Sequence, residues 1–101
     1  MDMRIEFIAS DEVKEALASL GRTEDVKFSP DNRRLAIAGF SKNKCVVVDI
    51  QFEISSTHKK VLLNDFVEIT SPCLQEPHGL AFIDHETLIV ANRSGAVPIL
   101  K

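Results

Sequence analysis

Histidine and cysteine are the side chains of this 101-residue sequence best suited to bind a metal ion or act as a nucleophile. His78 and His85 flank one predicted strand, and seven steps of about 3.3 Å place them roughly 23 Å apart, too far to share one ion. His58 lies in a predicted hairpin tip, with no partner close in the sequence. Cys45 and Cys73 lack metal-ligand or redox spacing, and the apolar run after Cys45 favours a small core residue.

Other catalytic patterns are absent from the sequence. It contains no Gly-x-Ser-x-Gly elbow, no phosphate-binding loop and no dinucleotide fingerprint. The net charge of −3 argues against a nucleic-acid partner, because phosphates are neutralised by clustered lysine and arginine. No apolar run reaches the roughly 18 residues of a membrane span, so we expect no membrane partner and a cytoplasmic location.

Two stretches of the sequence repeat one pattern of strand, polar turn and strand. They cover residues 24–39 and 77–92. Equivalent residues lie 53 or 54 positions apart; Phe28 and Phe82, for example, are 54 positions apart. A composition with 45% hydrophobic and 27% charged residues is typical of a globular domain. The repeat therefore predicts a folded β architecture built from two similar units.

The repeated phrases resemble those of β-propeller blades. Residues 28–36, Phe-Ser-Pro-Asp followed by Leu-Ala, resemble WD-repeat-like blades, and residues 77–82, Pro-His-Gly-Leu-Ala-Phe, resemble NHL and gluconolactonase-type propellers. The resemblance covers about residues 24–53 and 77–101, and it implies a mainly β chain of two four-stranded antiparallel blades. A complete propeller has at least about four blades. The chain is therefore expected to be a partial propeller: a fragment, part of a multi-chain ring or an open pair of blades.

Local patterns predict one helix and eight strands. Apolar residues at i, i+3, i+4 and i+7 from Val13 predict a short helix over about 11–20, with Ser10 as its N-cap. Turn residues separate the strands. The predicted strands cover residues 4–9, 24–29, 34–40, 44–53, 60–69, 78–83, 87–92 and 96–100.

We expect a single domain over residues 1–101. It would comprise an N-terminal strand and helix (1–23), a first blade (24–70) and a second, incomplete blade (71–101). One hypothesis is that the strand from Arg4 to Ala9 completes the second blade, in this or a neighbouring copy. Pro98 argues against that hypothesis, because it removes a hydrogen-bond donor from the strand that would pair on both sides.

The resemblance places a candidate site where the innermost strands begin, near the mouth of a propeller channel. Those positions hold Glu24, Asp25 and His78. In gluconolactonase-type propellers the position of His78 carries an asparagine metal ligand, which implies a divalent-metal role for the three residues. The simpler interpretation makes Glu24 and Asp25 solvated residues and His78 a turn residue. Asn92 and Arg93 end an inner strand, where they either line a ligand rim or form a turn.

These observations lead to two functional hypotheses. The first is a non-catalytic propeller module for protein interaction, assembly or ligand binding, without a cofactor. Its partners would be other copies of the chain in a ring-like homo-oligomer, or the rest of a longer propeller chain. The alternative is a metal-dependent hydrolase of lactones or esters, incomplete in this chain, in which the ion polarises the carbonyl and an acidic residue activates water. An enzyme relic without activity of its own is a third possibility.

Overall fold

The computed structural model describes residues 5–93 and 95–100 of the chain. The prediction of a mainly β chain with one short helix is confirmed in that part. The elements in order are β1 (Ile5–Ala9), α1 (Asp11–Ala18), β2 (Thr23–Phe28), β3 (Arg34–Gly39), a 3-10 helix (Phe40–Lys42), β4 (Lys44–Ile54), β5 (Lys59–Thr70), β6 (Pro77–Phe82), β7 (Leu88–Asn92) and β8 (Ile99–Leu100).

Helix α1 begins at the predicted residue. The Ser10 side chain accepts a hydrogen bond of 3.2 Å from the Val13 amide, which satisfies one of the free donors at the helix start. The helix ends at Ala18, two residues before the predicted end, and Gly21 adopts a left-handed conformation with φ of 67°. Within the described residues, no helix has the length and apolar content to cross a membrane.

The first sheet has five strands in the order β1-β5-β4-β3-β2. Strands β2 to β5 form an antiparallel meander, close to the four strands predicted for the first blade. Strand β1 runs parallel to β5, with Ile5 opposite Lys59 and Ala9 opposite Leu63. The hypothesis that the N-terminal strand completes the second blade is therefore wrong; Arg4, its predicted first residue, lies outside the described residues.

Helix α1 explains the position of β1. Only Ser10 separates the two elements, and the helix packs on β4 and β5. Ala9 and Val13 both belong to the apolar cluster that contains Leu63 of β5. A strand tied so closely to that helix is held beside β5 and away from the second sheet.

The second sheet has three antiparallel strands in the order β6-β7-β8. Sheets of five and three strands replace the predicted pair of four-stranded blades, so that detail of the prediction is wrong. Strand β8 covers two of the five predicted residues, and it follows Pro98, which has no amide hydrogen to donate to a ladder. The Val90 amide still donates to the Pro98 carbonyl at 3.1 Å, so irregular pairing precedes the strand.

The repeat in the sequence reappears in the register of two hairpins. In the β2–β3 hairpin the register shifts around Glu24, and in the β6–β7 hairpin it shifts around His78. The two residues are 54 positions apart and occupy equivalent bulges. Beyond the bulge, the last residue pair before the turn of each hairpin is a phenylalanine opposite a leucine. The two sequence repeats thus form the same hairpin.

The two sheets pack face to face, and β6 lies against β2 and β3. Small residues of the first sheet meet larger aliphatic residues of the second. The first sheet contributes Ala36, Ala38 and Cys45, and the second contributes Leu80, Leu88 and Val90. We call the side of the first sheet that packs against the second sheet its inter-sheet face. Cys45 is fully buried there, as predicted, and burial raises its thiol pKa to about 11.

The opposite side of the first sheet, its helix face, carries α1. Val13 of the helix packs with Val48, Ile50 and Leu63 of β4 and β5. The side of the second sheet that points away from the first is its outer face. Alternation along the strands places Gly79, Ala81, Ile89, Ala91 and Ile99 on the outer face.

Candidate functional site

The residues predicted at the starts of the inner strands come together in part. Glu24 and His78, the two bulge residues, face each other with 3.9 Å between Glu24 Oε2 and His78 Nδ1. Glu24 is mostly buried and His78 mostly exposed, with side-chain exposures of 16% and 62%. The packing of β6 against β2 explains this contact, which becomes an ion pair when His78 is protonated.

Asp25 lies next to that contact but is occupied by hydrogen bonds. Its Oδ1 atom accepts from the Val26 amide at 2.9 Å and from Lys27 Nζ at 3.0 Å, and its Oδ2 atom accepts from the Leu80 amide at 2.9 Å. Burial acts to raise the pKa of Asp25, but the hydrogen bonds from Leu80, Lys27 and Val26 outweigh it, so the pKa lies below its ordinary value. Asp25 therefore joins the first sheet to the second.

Asn92, predicted as a rim or turn residue, holds the connection between the sheets. Its side chain accepts from the Gln75 amide at 3.2 Å and donates to the Cys73 carbonyl at 2.7 Å. From the connection between β3 and β4, the Asn43 side chain accepts from the Glu76 amide at 2.8 Å. Two asparagines thus satisfy the backbone of a short irregular segment, and their side chains serve the fold.

Arg93 belongs to an aromatic and charged group that sequence analysis did not identify. Its guanidinium lies 5.7 Å from the ring centre of Phe40, and that of Arg22 lies 5.2 Å from the same ring. Arg22 also bonds Glu24, with 2.8 Å between Nε and Oε1. Phe40 lies in the 3-10 helix that follows β3. The residues next to it in the sequence do not predict that its ring lies between two arginines. The group joins both repeats at the bulge end of the sheets.

Two of the three residues predicted as metal ligands are bonded within the protein. Sites for divalent ions take at least three or four ligands, and two of the three predicted ligands here already have protein partners. Glu24 is bonded by Arg22, and Asp25 accepts three hydrogen bonds. Among the described residues, no group of three or more histidine, cysteine, aspartate or glutamate side chains is arranged to hold a metal ion.

A polar cleft of about 640 Å³ lies at the opposite end of the sheets. It runs between the turns of the two repeated hairpins, where Arg34 Nη1 donates to the His85 carbonyl at 3.0 Å and His85 Nδ1 lies 3.6 Å from Asp31 Oδ2. The Ser29 hydroxyl and the Arg33 amide hold the pKa of Asp31 below its ordinary value. The hydrogen bond from Arg34 and the approach of His85 to Asp31 thus tie the two hairpins together at their tips.

Among the described residues, exposed apolar side chains group on two surfaces of the sheets that bear on the repeat. One is the outer face of the second sheet, on which Ile99 is 60% exposed and Ala81 and Ala91 are also exposed. The other, which we call the β2 patch, consists of Val26, Phe28 and Phe52 on the helix face of the first sheet. These side chains are 46% to 50% exposed, and the two phenylalanine rings lie 6.1 Å apart between centres. Exposed apolar residues grouped in this way are typical of interaction surfaces.

No family model matches the chain, and no curated protein or solved structure matches it. Function is therefore inferred from the surfaces and side chains of the chain itself.

Proposed function

We propose that the chain is a non-catalytic assembly module that packs its sheets against further β-sheets of the same kind. One observation carries this proposal: no element in the described part of the chain covers the outer face of the second sheet, although its equivalent in the first sheet is the buried inter-sheet face. Ala38 is fully buried, whereas its repeat equivalent Ala91 is exposed. Covering the outer face in the same way would remove a continuous apolar surface from water.

The propeller resemblance supports the same proposal. Successive blades of a propeller stack face to face around an axis, and β6 lies on β2 and β3 in a comparable stack of two sheets. The partners are then other copies of the chain, or further blades of a longer chain. The module needs no cofactor for this role.

The metal-dependent hydrolase remains a prediction with less support. Glu24 and His78 do approach each other, but Asp25 serves the sheet interface. Metal analysis of gently purified protein tests it: a divalent ion bound in a one-to-one ratio, and lost in the Glu24→Gln variant, would favour the hydrolase.

The size of the protein in solution tests the assembly proposal. We expect sedimentation equilibrium to show reversible self-association at or below about 100 μM. A dissociation constant of about 1 μM would correspond to a binding free energy of about −8 kcal/mol. A chain that stays monomeric throughout that range would overturn assembly between copies. Folding is checked in parallel by circular dichroism, so that aggregation of unfolded chain is not counted as assembly.

A further inference from the structure

The packing between the two sheets identifies the side chains that a second interface would need. Leu80 and Phe82 of β6 belong to the apolar cluster that covers the inter-sheet face. Their repeat equivalents in β2 are Val26 and Phe28, each 54 positions earlier. The first sheet therefore carries, on its helix face, an apolar pair equivalent to the one that joins the second sheet to the first.

Val26 and Phe28 are free to make such a contact. Their side chains are 50% and 47% exposed. Helix α1 covers the same side of the sheet over β4 and β5, two and three strands away from β2. The strand that would make the contact is thus the one that the helix leaves open.

The outer face carries the matching surface. Ala36 and Ala38 share a buried apolar cluster with Leu80 within the molecule, and their repeat equivalents on the outer face are Ile89 and Ala91. None of the five outer-face residues is charged, so an apolar strand can approach without leaving an unpaired charge buried.

We propose that copies of this chain assemble head to tail, with the β2 patch of one copy packed on the outer face of the next. This inference rests on the proposed function and adds its partner and its surface. The contact reproduces between copies the packing that already joins the two sheets within one copy. Helix α1 packs over β4 and β5, and the second-sheet strand equivalent to β4 is the two-residue edge strand β8. In this assembly the helix of the incoming copy therefore lies at the margin of the outer face.

A contact of two different surfaces has a definite consequence for assembly. Each copy uses both surfaces, so the contact repeats until a ring closes or a filament grows. The contact between copies lacks one feature of the internal packing: Gly79 stands at the position equivalent to Asp25, whose carboxylate bonds the Leu80 amide. We therefore expect the contact between copies to be weaker than the internal one and to be reversible on dilution.

Three glutamate variants of the full chain test the proposal. Val26→Glu places a charge on the β2 patch, and Ala91→Glu places one on the outer face. The matched control is Val67→Glu, because Val67 is 62% exposed and lies on the other side of the first sheet from Val26. We expect the first two variants to weaken self-association about tenfold or more, and the control to leave it unchanged.

Mixing the two disruptive variants gives the sharper result. A head-to-tail contact uses one surface from each copy, so an equimolar mixture retains one intact contact: the β2 patch of Ala91→Glu on the outer face of Val26→Glu. At a concentration near the dissociation constant of the unmodified chain, each variant alone should be mostly monomeric, and the mixture should form a one-to-one heterodimer in sedimentation velocity. A mixture that stays monomeric contradicts the proposal.

The remaining outcomes separate this inference from the proposed function. If Val26→Glu associates like the unmodified chain while Ala91→Glu does not, the outer faces pack on each other and the head-to-tail contact is wrong. If neither variant weakens association, assembly stands but uses another surface. If the unmodified chain is itself monomeric, both the inference and assembly between copies are overturned.

Discussion

The two sheets contain the same hairpin but differ in what covers them. The first sheet has α1 on one face and the second sheet on the other, whereas the described residues cover the second sheet on one face alone. Ala38 and Ala91 occupy equivalent strand positions, and one is fully buried while the other is exposed. The strand pattern thus decides which side chains share a face, and the neighbouring element decides whether that face is buried.

The largest expected effect comes from the same substitution at these two equivalent positions. Ala38→Glu buries an unpaired charge between the sheets and should lower the free energy of unfolding by about 3 kcal/mol or more, enough to prevent folding of a marginal domain. Ala91→Glu should change it by no more than about 0.5 kcal/mol, because its side chain points to solvent. Urea unfolding, followed by circular dichroism below the concentration at which the chain associates, measures both values. Equal losses at the two positions would mean that the sheets do not pack as described.

Two glycines extend the comparison with a smaller change. A β-carbon at Gly39 would lie 2.8 Å from both the carbonyl oxygen and the Cδ2 atom of Leu20, and 3.1 Å from the Lys44 carbonyl. A β-carbon at Gly79 would meet only the Ala91 β-carbon, at an ordinary 3.6 Å. We expect Gly39→Ala to cost about 1–3 kcal/mol and Gly79→Ala to be neutral or to stabilise by up to about 1 kcal/mol.

The same urea experiment measures this pair. Gly79→Ala serves as the control for the general effect of replacing glycine by alanine in a strand, since both residues lie in hairpins with a shared register. If Gly39→Ala is as well tolerated as Gly79→Ala, Leu20 is not packed against the end of β3.

Local patterns in the sequence predicted the elements better than their arrangement. The four strands of the meander, the Ser10 cap and the two similar hairpins follow from turn residues and apolar spacing, which act over a few residues. The place of β1 depends on how α1 packs, which involves Val13 and Leu63 from distant parts of the chain. Strand 96–100 was predicted too long because Pro98 limits regular pairing to the last two residues.

The candidate site shows the same division. The repeat correctly marked Glu24 and His78 as equivalent positions, and the structure brings them together. Phe40 lies between two arginines because β3 and β7 end at the same side of the molecule, and no spacing in the sequence encodes that contact. Asp25 looked like a free carboxylate because its partner, the Leu80 amide, is a backbone group 55 positions away.

The smallest of the expected effects concerns Asp25, whose equivalent on the outer face of the second sheet is Gly79, which has no side chain to accept a hydrogen bond. Asp25→Asn keeps one oxygen to accept a hydrogen bond but loses the charge and the second carboxylate oxygen. We expect it to lower the free energy of unfolding by about 1 kcal/mol at neutral pH, since hydrogen bonds to charged groups are worth more than neutral ones.

The effect of Asp25→Asn should depend on pH in one direction. The pKa of Asp25 is lower in the folded chain than its ordinary value of 3.8, so the unfolded chain binds its proton first as the pH falls. The stabilisation is therefore complete above pH 3.8 and lost as the pH drops through the folded pKa. Asp31 and Asp84 also have lowered pKa values, but they titrate in both proteins, so the difference between the chain and its variant isolates Asp25.

Urea unfolding of both proteins at neutral pH and at about pH 2 tests this dependence. The gap between their unfolding free energies should narrow at the lower pH, where the aspartate is protonated and its amide replacement is a closer match. A gap that is unchanged or wider in acid would mean that the charge of Asp25 does not hold the sheets together. The bond to Leu80 would then be a consequence of the packing of Ala38 and Val90, and the apolar contact alone would distinguish the internal interface from the outer face.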